Sequence, residues 1–139
     1  MQIHTTTRTI ETHDTREIID ITDHVARSIA AQGAGHCSLF VTHTTAALTT
    51  ANLDPGTDLD MLDAFNELIP ALNYRHPHDP AHAPDHILAT LIGPSVTIPI
   101  RDGSLMLGTW QRVVLIECDG PRTRTLHVTT VMTEKDDLD

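Results

Sequence analysis

Residues Val96–Cys118 read VTIPIRDGSLMLGTWQRVVLIEC and contain several apolar segments that are separated by turn residues. Val96–Arg101 and Leu105–Leu107 are predicted strands, and Asp102-Gly103 between them is typical of a hairpin turn. Val113–Cys118 is an apolar run that predicts another strand. This part of the chain therefore predicts a core made of β-structure.

Further strands are predicted on both sides of this stretch. Thr125–Thr133 follows an Asp119-Gly-Pro turn, and the threonine-rich residues 2–10 alternate weakly between apolar and polar. Cys37–Thr42 is a predicted buried strand, and Ala46–Thr50 is a second extended segment close behind it. Strands therefore dominate the pattern.

Helices are predicted in the first half of the chain and at its middle. Asp14-Thr-Arg-Glu17 resembles a capping box, and apolar residues recur after it at three and four positions, which predicts a helix over residues 15–32 that ends at Gly33. A second helix follows the turn at Asp54–Thr57 and ends at Pro70. Its predicted buried residues are Leu59, Leu62, Phe65 and Ile69.

Residues 71–85 form a predicted loop, and a short helix over 86–92 follows it. The sum is an α+β protein with a β-sandwich-like core of mixed or antiparallel sheets and two or three helices. A length of 139 residues matches one domain, so we expect a single domain over residues 1–139.

Composition excludes several classes of function. The net charge of −10 argues against nucleic-acid binding, which needs a positive surface, and four aromatic residues are too few for base stacking. No run of eighteen apolar residues exists, so no membrane span is expected. The start of the chain lacks a secretory pattern, so we expect a cytoplasmic protein.

Common catalytic motifs are also missing from the sequence. It contains no P-loop, no GxGxxG fingerprint and no GxSxG elbow. Cys37 and Cys118 lie far apart and form no CxxC pair, which excludes a zinc knuckle or a redox motif. We interpret both as buried, unreactive thiols.

Histidine is the unusual residue, with ten in the chain and four of them between His76 and His86. Neutral imidazole is a common ligand for zinc and similar ions. His76 and His86, with His43 from the end of a predicted strand, are the candidate ligands of a divalent ion. The alternative is a solvated loop whose histidines form local hydrogen bonds, which we favour for His78 and His82.

Two other groups are candidates for ligand binding. Gly108–Gln111 places Trp110 and Gln111 between strands, either as a turn packed under an indole or as the wall of a pocket. Arginines suit phosphate or carboxylate recognition, and the candidates are Arg75, Arg101 and Arg112, although Arg101 beside the hairpin turn is expected to be solvated.

Several stretches together resemble the YjbQ-like family, often labelled secondary thiamine-phosphate synthase. They occur in the family's order and cover most of the chain: His43–Thr50, Asp54–Gly56, Tyr74–His76, Asp85–Ile87, Leu91–Ile100, Gly108–Gln111 and Glu117–Arg122. The resemblance implies a compact α+β subunit with a β-sandwich core, a homotrimer, and a divalent metal on His43, His76 and His86. The family's acidic residue near position 52 is absent, because this chain has Asn52, and Asp54 is the candidate substitute.

The family label implies weak thiamine-phosphate synthesis, in which a thiazole phosphate nitrogen displaces pyrophosphate from a pyrimidine. Such a reaction needs a divalent ion and arginines beside the leaving pyrophosphate. We therefore expect a metal-dependent enzyme with zinc, or alternatively magnesium, and a small phosphorylated ligand. Asp54 and Asn52 are the candidate catalytic residues, and the candidate substrate contacts are Thr44, Arg75, Trp110 and Gln111.

Two alternatives stay open at this point. The chain could be a trimeric protein that binds a small ligand or a metal without turnover, because no complete general-base arrangement is visible. The metal could also be purely structural and fasten the loop at residues 71–85.

Overall fold

The computed structural model of the chain describes residues 1–29 and 33–133. Within these residues the chain forms eight strands, three α-helices and a 3₁₀ turn at Pro80–His82. The strands are β1 (Gln2–Glu11), β2 (Glu17–Asp20), β3 (Ala34–Val41), β4 (Ala46–Ala51), β5 (Ser95–Arg101), β6 (Ser104–Leu105), β7 (Arg112–Glu117) and β8 (Thr123–Thr133). The helices are α1 (Thr22–Ala26), α2 (Thr57–Leu68) and α3 (Ala83–Ile92).

The larger sheet has five antiparallel strands in the order β1-β8-β3-β5-β6. Along β8, every second side chain is buried, and Leu126, Val128 and Met132 belong to the main core. Thr125 and Thr129 between them are only half-buried. This alternation is the pattern of a strand with one face against the core.

The smaller sheet has three antiparallel strands in the order β2-β7-β4. Its central strand β7 is buried on both faces because it lies between two layers. Val113 and Leu115 join the core shared with the larger sheet, whereas Val114 and Ile116 pack in a second cluster with Leu88 of α3. The predicted α+β class, with a core between two β-sheets, is confirmed.

The predicted helix over residues 15–32 is wrong for the part of it that the structure describes. Its beginning is strand β2, which pairs with β7, and only the short α1 is helical. The Glu17 carboxylate does accept hydrogen bonds from the backbone N–H groups of His13 and Asp14, but the chain then continues extended. Residues 30–32 of this prediction lie outside the described residues.

The other predicted helices are present. α2 begins after Gly56, whose φ of +90° favours glycine, and ends before Pro70 as predicted. α3 begins at Ala83 rather than at residue 86, directly after the 3₁₀ turn. The end of β3 pairs with the first part of β8, and the end of β7 pairs with the start of β4. The loop from β3 to β4 and the loop from β7 to β8 therefore meet at one end of the two sheets.

Candidate functional site

A cavity of about 690 Å³ lies at the end of the sheets where these loops meet. Thr42–Thr45, which connects β3 to β4, forms one wall, and residues 119 and 122–124 form another. His86 of α3 closes the third side. A neighbouring cavity of about 390 Å³ shares His43, Thr44 and His86. Both volumes lie in the range of small-molecule sites.

A buried ion pair supports the floor of the larger cavity. The side chains of Glu117 and Arg124 are 0% and 2% exposed. Arg124 Nε lies 2.9 Å from Glu117 Oε1 and 3.1 Å from Oε2, and Nη2 donates to Oε2 as well. Nη2 also donates to the backbone oxygen and the hydroxyl of Thr45, at 3.0 and 2.9 Å. The guanidinium is therefore held rigidly.

Glu117 is ionised in this environment. Burial by itself would raise the pKa of its carboxyl, but hydrogen bonds from Arg124, from the Thr12 hydroxyl and from the Asp119 backbone N–H together lower that pKa. The carboxylate therefore acts as the fixed counter-charge of Arg124.

One guanidinium nitrogen of Arg124 is not used in these hydrogen bonds. Its Nε and Nη2 are used as described, and no hydrogen bond among the described residues involves Nη1. Nη1 is not one of the fully buried polar atoms without a partner, so it keeps some contact with solvent. Arg124 also lines the cavity. A buried arginine that lines the cavity therefore keeps N–H donors that no described residue uses.

His43 is a neutral ring with a defined tautomer. Its Nε2 accepts a hydrogen bond of 2.8 Å from the backbone N–H of Thr125, so the proton is on Nδ1. Burial lowers the pKa of His43, and the nearby Arg124 and Arg122 lower it further against the opposing effect of Glu117. His43 is therefore a hydrogen-bond donor through Nδ1 at neutral pH.

Two of the three histidines predicted as metal ligands line the same cavities, and the third stacks on one of them. His43 and His86 line both cavities, and the ring of His76 stacks on His86 with centroids 4.7 Å apart and planes at 27°. Three imidazoles suit a zinc-like ion in kind. His43 Nε2 is already engaged, and in the described part of the chain the three donor nitrogens do not converge as a ligand group.

The remaining predicted site residues are spread over the molecule. Thr44 lines both cavities. Asn52 is exposed, and its Oδ1 accepts from the backbone N–H of Asp54 at 2.8 Å, in a turn before α2. Arg75 is exposed, and Trp110 is 68% exposed. Gln111 borders a separate cavity of about 160 Å³ and accepts from Gly108 N–H.

The charged groups of the site were missed from the sequence. Glu117 interrupts an apolar strand, and Arg124 stands at an inward position of β8. The available signal was a pair of opposite charges at inward positions of two strands that follow each other along the chain. Charged side chains are rarely buried unless they are paired. Asp119 and Arg122 beside them also line the cavity.

The interpretation of both cysteines as buried thiols is confirmed. Both are free and buried. Burial raises the pKa of Cys37 to about 11 and that of Cys118 to about 12, so neither forms a thiolate at neutral pH. In the described residues, no helix has the length and apolar character needed to span a bilayer.

Comparison with known proteins gives consistent matches. The model of a family described as "UPF0047 protein YjbQ-like" matches residues 6–133. A UPF0047 protein of Archaeoglobus fulgidus is 40% identical over 121 residues, which are 86% of this chain and 95% of that protein. The UPF0047 protein YugU of Bacillus subtilis is 35% identical over 122 residues, covering 86% of this chain and 88% of YugU.

Solved structures match over nearly the whole chain. A crystal structure of a YbjQ-like protein of unknown function from Sulfolobus solfataricus P2 is 31% identical, with a TM-score of 0.85. It covers 95% of this chain and 99% of its own. A hypothetical protein from Aeropyrum pernix K1 is 32% identical with a TM-score of 0.86, covering 94% of this chain and 99% of its own.

Proposed function

The chain belongs to the UPF0047 protein YjbQ-like family, and we propose that it is a metal-dependent enzyme that acts on a small phosphorylated molecule. The observation that carries this proposal is the buried Arg124, whose Nη1 donors are unused among the described residues and whose guanidinium lines the cavity. A fixed guanidinium with free donors in a concave site matches the oxygens of a phosphate.

The surroundings of Arg124 support an anionic ligand. Arg122 adds a second positive charge to the lining, and the hydroxyls of Thr42, Thr44 and Thr123 add polar groups. A phosphate or pyrophosphate would accept from these donors, and Arg124 needs no rearrangement because it is already held by Glu117. The Nδ1–H of His43 would donate to the same ligand or to a leaving oxygen.

The reaction that we assign by family resemblance is weak thiamine-phosphate synthesis, a transfer in which pyrophosphate leaves. His76 and His86 are the proposed ligands of the divalent ion, zinc or alternatively magnesium, and the bound ion would supply positive charge to the departing phosphate oxygens. His43 could join them only by releasing Nε2 from the Thr125 N–H, because its Nδ1 carries the proton. Asp54 and Asn52 as catalytic residues, and Arg75, Trp110 and Gln111 as substrate contacts, remain predictions of this proposal.

We also propose a homotrimer in the cytoplasm. Several large apolar side chains are more than 60% exposed in the single chain, which is typical of a surface that another subunit covers. These residues are Met1, Ile3, Leu59, Leu68, Leu72, Leu91 and Trp110.

Pyrophosphate titration, followed by calorimetry and by thermal unfolding, tests the anion site. We expect pyrophosphate to stabilise the wild-type protein, because a ligand of the native state raises its unfolding midpoint. Arg124→Lys, which keeps the charge but loses the fork, and Arg122→Gln should each weaken binding by about tenfold or more. Arg101→Gln, on the hairpin turn, is the matched control and should bind like wild type. Equal affinity in all four proteins would disprove the anion site.

Turnover is tested separately, with a thiazole phosphate and a pyrimidine pyrophosphate as substrates and each divalent ion in turn. Product that requires both a metal and His43 supports the enzyme. Pyrophosphate binding without product supports the second candidate, a non-catalytic binding protein. The observation that favours this second candidate is the exposed turn at Asn52 and Asp54, which does not contribute to the cavity lining.

A further inference from the structure

His82 lies in an unusual arrangement of charges beside the cavity. It ends the 3₁₀ turn that precedes α3. Its Nδ1 is 3.1 Å from Asp119 Oδ2 and 3.4 Å from Asp85 Oδ2, and its Nε2 is 3.3 Å from Asp79 Oδ2. Both ring nitrogens therefore face carboxylate oxygens.

A neutral histidine leaves one ring nitrogen without a matching donor or acceptor among these carboxylates. A neutral imidazole carries one N–H and one lone pair, whereas an ionised carboxylate only accepts hydrogen bonds. If Nε2–H donates to Asp79, the lone pair of Nδ1 points at two acceptor oxygens. A cation between Nδ1 and these oxygens, a proton or a metal ion, would match this tautomer.

The distances suit a metal ion. The three ligand atoms lie within 4.8 Å of one another. Two adjacent ligands bonded at about 2.2 Å to an octahedral ion are about 3.1 Å apart, close to the separations from Nδ1. Asp79 on Nε2 supplies the carboxylate partner that metal-binding histidines usually have on their other nitrogen.

Arginines hold the two carboxylates in place. Arg16 Nη2 donates to Asp85 Oδ1 at 2.9 Å, which leaves Oδ2 directed at His82. Arg122 Nη2 donates to Asp119 Oδ2 at 3.2 Å. The side chains of Asp85 and Asp119 are only 14% and 15% exposed, whereas that of His82 is 42% exposed, so the cluster opens to solvent on the histidine side.

We propose that His82 Nδ1, Asp85 and Asp119 bind a divalent cation of the Mn²⁺ class, with Asp79 orienting the histidine. One nitrogen and two carboxylate oxygens form a harder ligand set than three imidazoles, which favour zinc. Asp119 also lines the 690 Å³ cavity, so the ion would lie in its wall. This site is separate from the three-histidine set, and it replaces the interpretation of His82 as a solvated loop residue.

Mn²⁺ alone is the probe, added to metal-stripped full-length protein, with the loss of the electron paramagnetic resonance signal of free Mn²⁺ as the readout. We expect one Mn²⁺ per chain in the wild-type protein. His82→Ala and Asp85→Asn should lower its affinity more than tenfold, and Asp79→Asn by about tenfold. Asp60→Asn, an exposed acidic residue of α2, is the matched control for charge.

His36→Ala, at an exposed histidine of β3, is the matched histidine control and should leave Mn²⁺ affinity unchanged. Substoichiometric Mn²⁺ should also broaden the ring resonances of His82 before those of His127 on the sheet surface. The proposal is overturned if His82→Ala and Asp85→Asn take up as much Mn²⁺ as the wild-type protein. A wild-type protein that binds no Mn²⁺ also overturns it. The pyrophosphate titration is carried out on metal-free protein and read separately, because Arg122 and Asp119 border both sites.

Discussion

The charged residues around the cavity could not be located by pattern alone. His43, Thr44 and His86 were predicted as site residues and do line one cavity, whereas Glu117 and Arg124 were passed over inside strands. A sequence shows which residue types are present and how far apart they lie along the chain. Glu117 and Arg124 are seven positions apart on two strands, and only the turn between these strands brings them together.

Glu117→Gln should destabilise the protein by about 3–5 kcal/mol, because Arg124 would keep a buried charge without a counter-charge. Urea unfolding measures the change, and Glu67→Gln on the exposed side of α2 is the control. A loss below about 1 kcal/mol would contradict the role of the pair.

The same pair predicts an acid dependence. Since the folded-state pKa of Glu117 is lowered, its contribution to stability is present above its ordinary value of 4.5 and is lost as the pH falls through the lower folded value. Wild-type and Glu117→Gln stabilities should therefore converge in acid. Parallel curves down to the lowest measurable pH would exclude Glu117 as the group responsible.

At the scale of elements, most strands and two helices followed from local pattern. β7 and β8 were predicted because continuous or alternating apolar residues select a buried strand. The failure at residues 15–32 has a specific cause. Ile18 and Ile21 fit a helical repeat, yet Ile18 pairs with Ile116 of β7 and the backbone N–H of Ile21 donates to Val113 of the same strand. Tertiary pairing overrides local propensity here, and no local signal reports it.

Gly35→Ala tests how tightly the larger sheet is built. β3 pairs with both β5 and β8, and a Cβ on Gly35 would lie 1.8 Å from the Val131 backbone oxygen. The strands would have to separate, so we expect a loss of about 3 kcal/mol in thermal or urea unfolding. Ser38→Ala on the same strand is the control, and equal stability of the two variants would contradict this packing.

At the scale of the whole molecule, the antiparallel α+β architecture was predicted from the count and order of the elements. Subunit association was implied only by family resemblance, because exposed apolar side chains become visible only once the chain is folded.

Sedimentation of the untagged protein should give three times the chain mass of 15.3 kDa. Replacing the exposed Leu91 and Trp110 with glutamate should shift the protein toward the monomer if these side chains lie between subunits, while Asp60→Asn should not. A wild-type monomer at micromolar concentration would refute the trimer.

The Glu117–Arg124 pair also restricts how this sequence can change over generations. A lineage that loses either charge first passes through a protein with an uncompensated buried ion, whereas losing both together can be nearly neutral. Drift at these positions therefore requires coupled substitutions, and any lineage that has made them has also given up the guanidinium beside the cavity. Covariation of the two positions would thus record, across relatives, which of them still use the anion site.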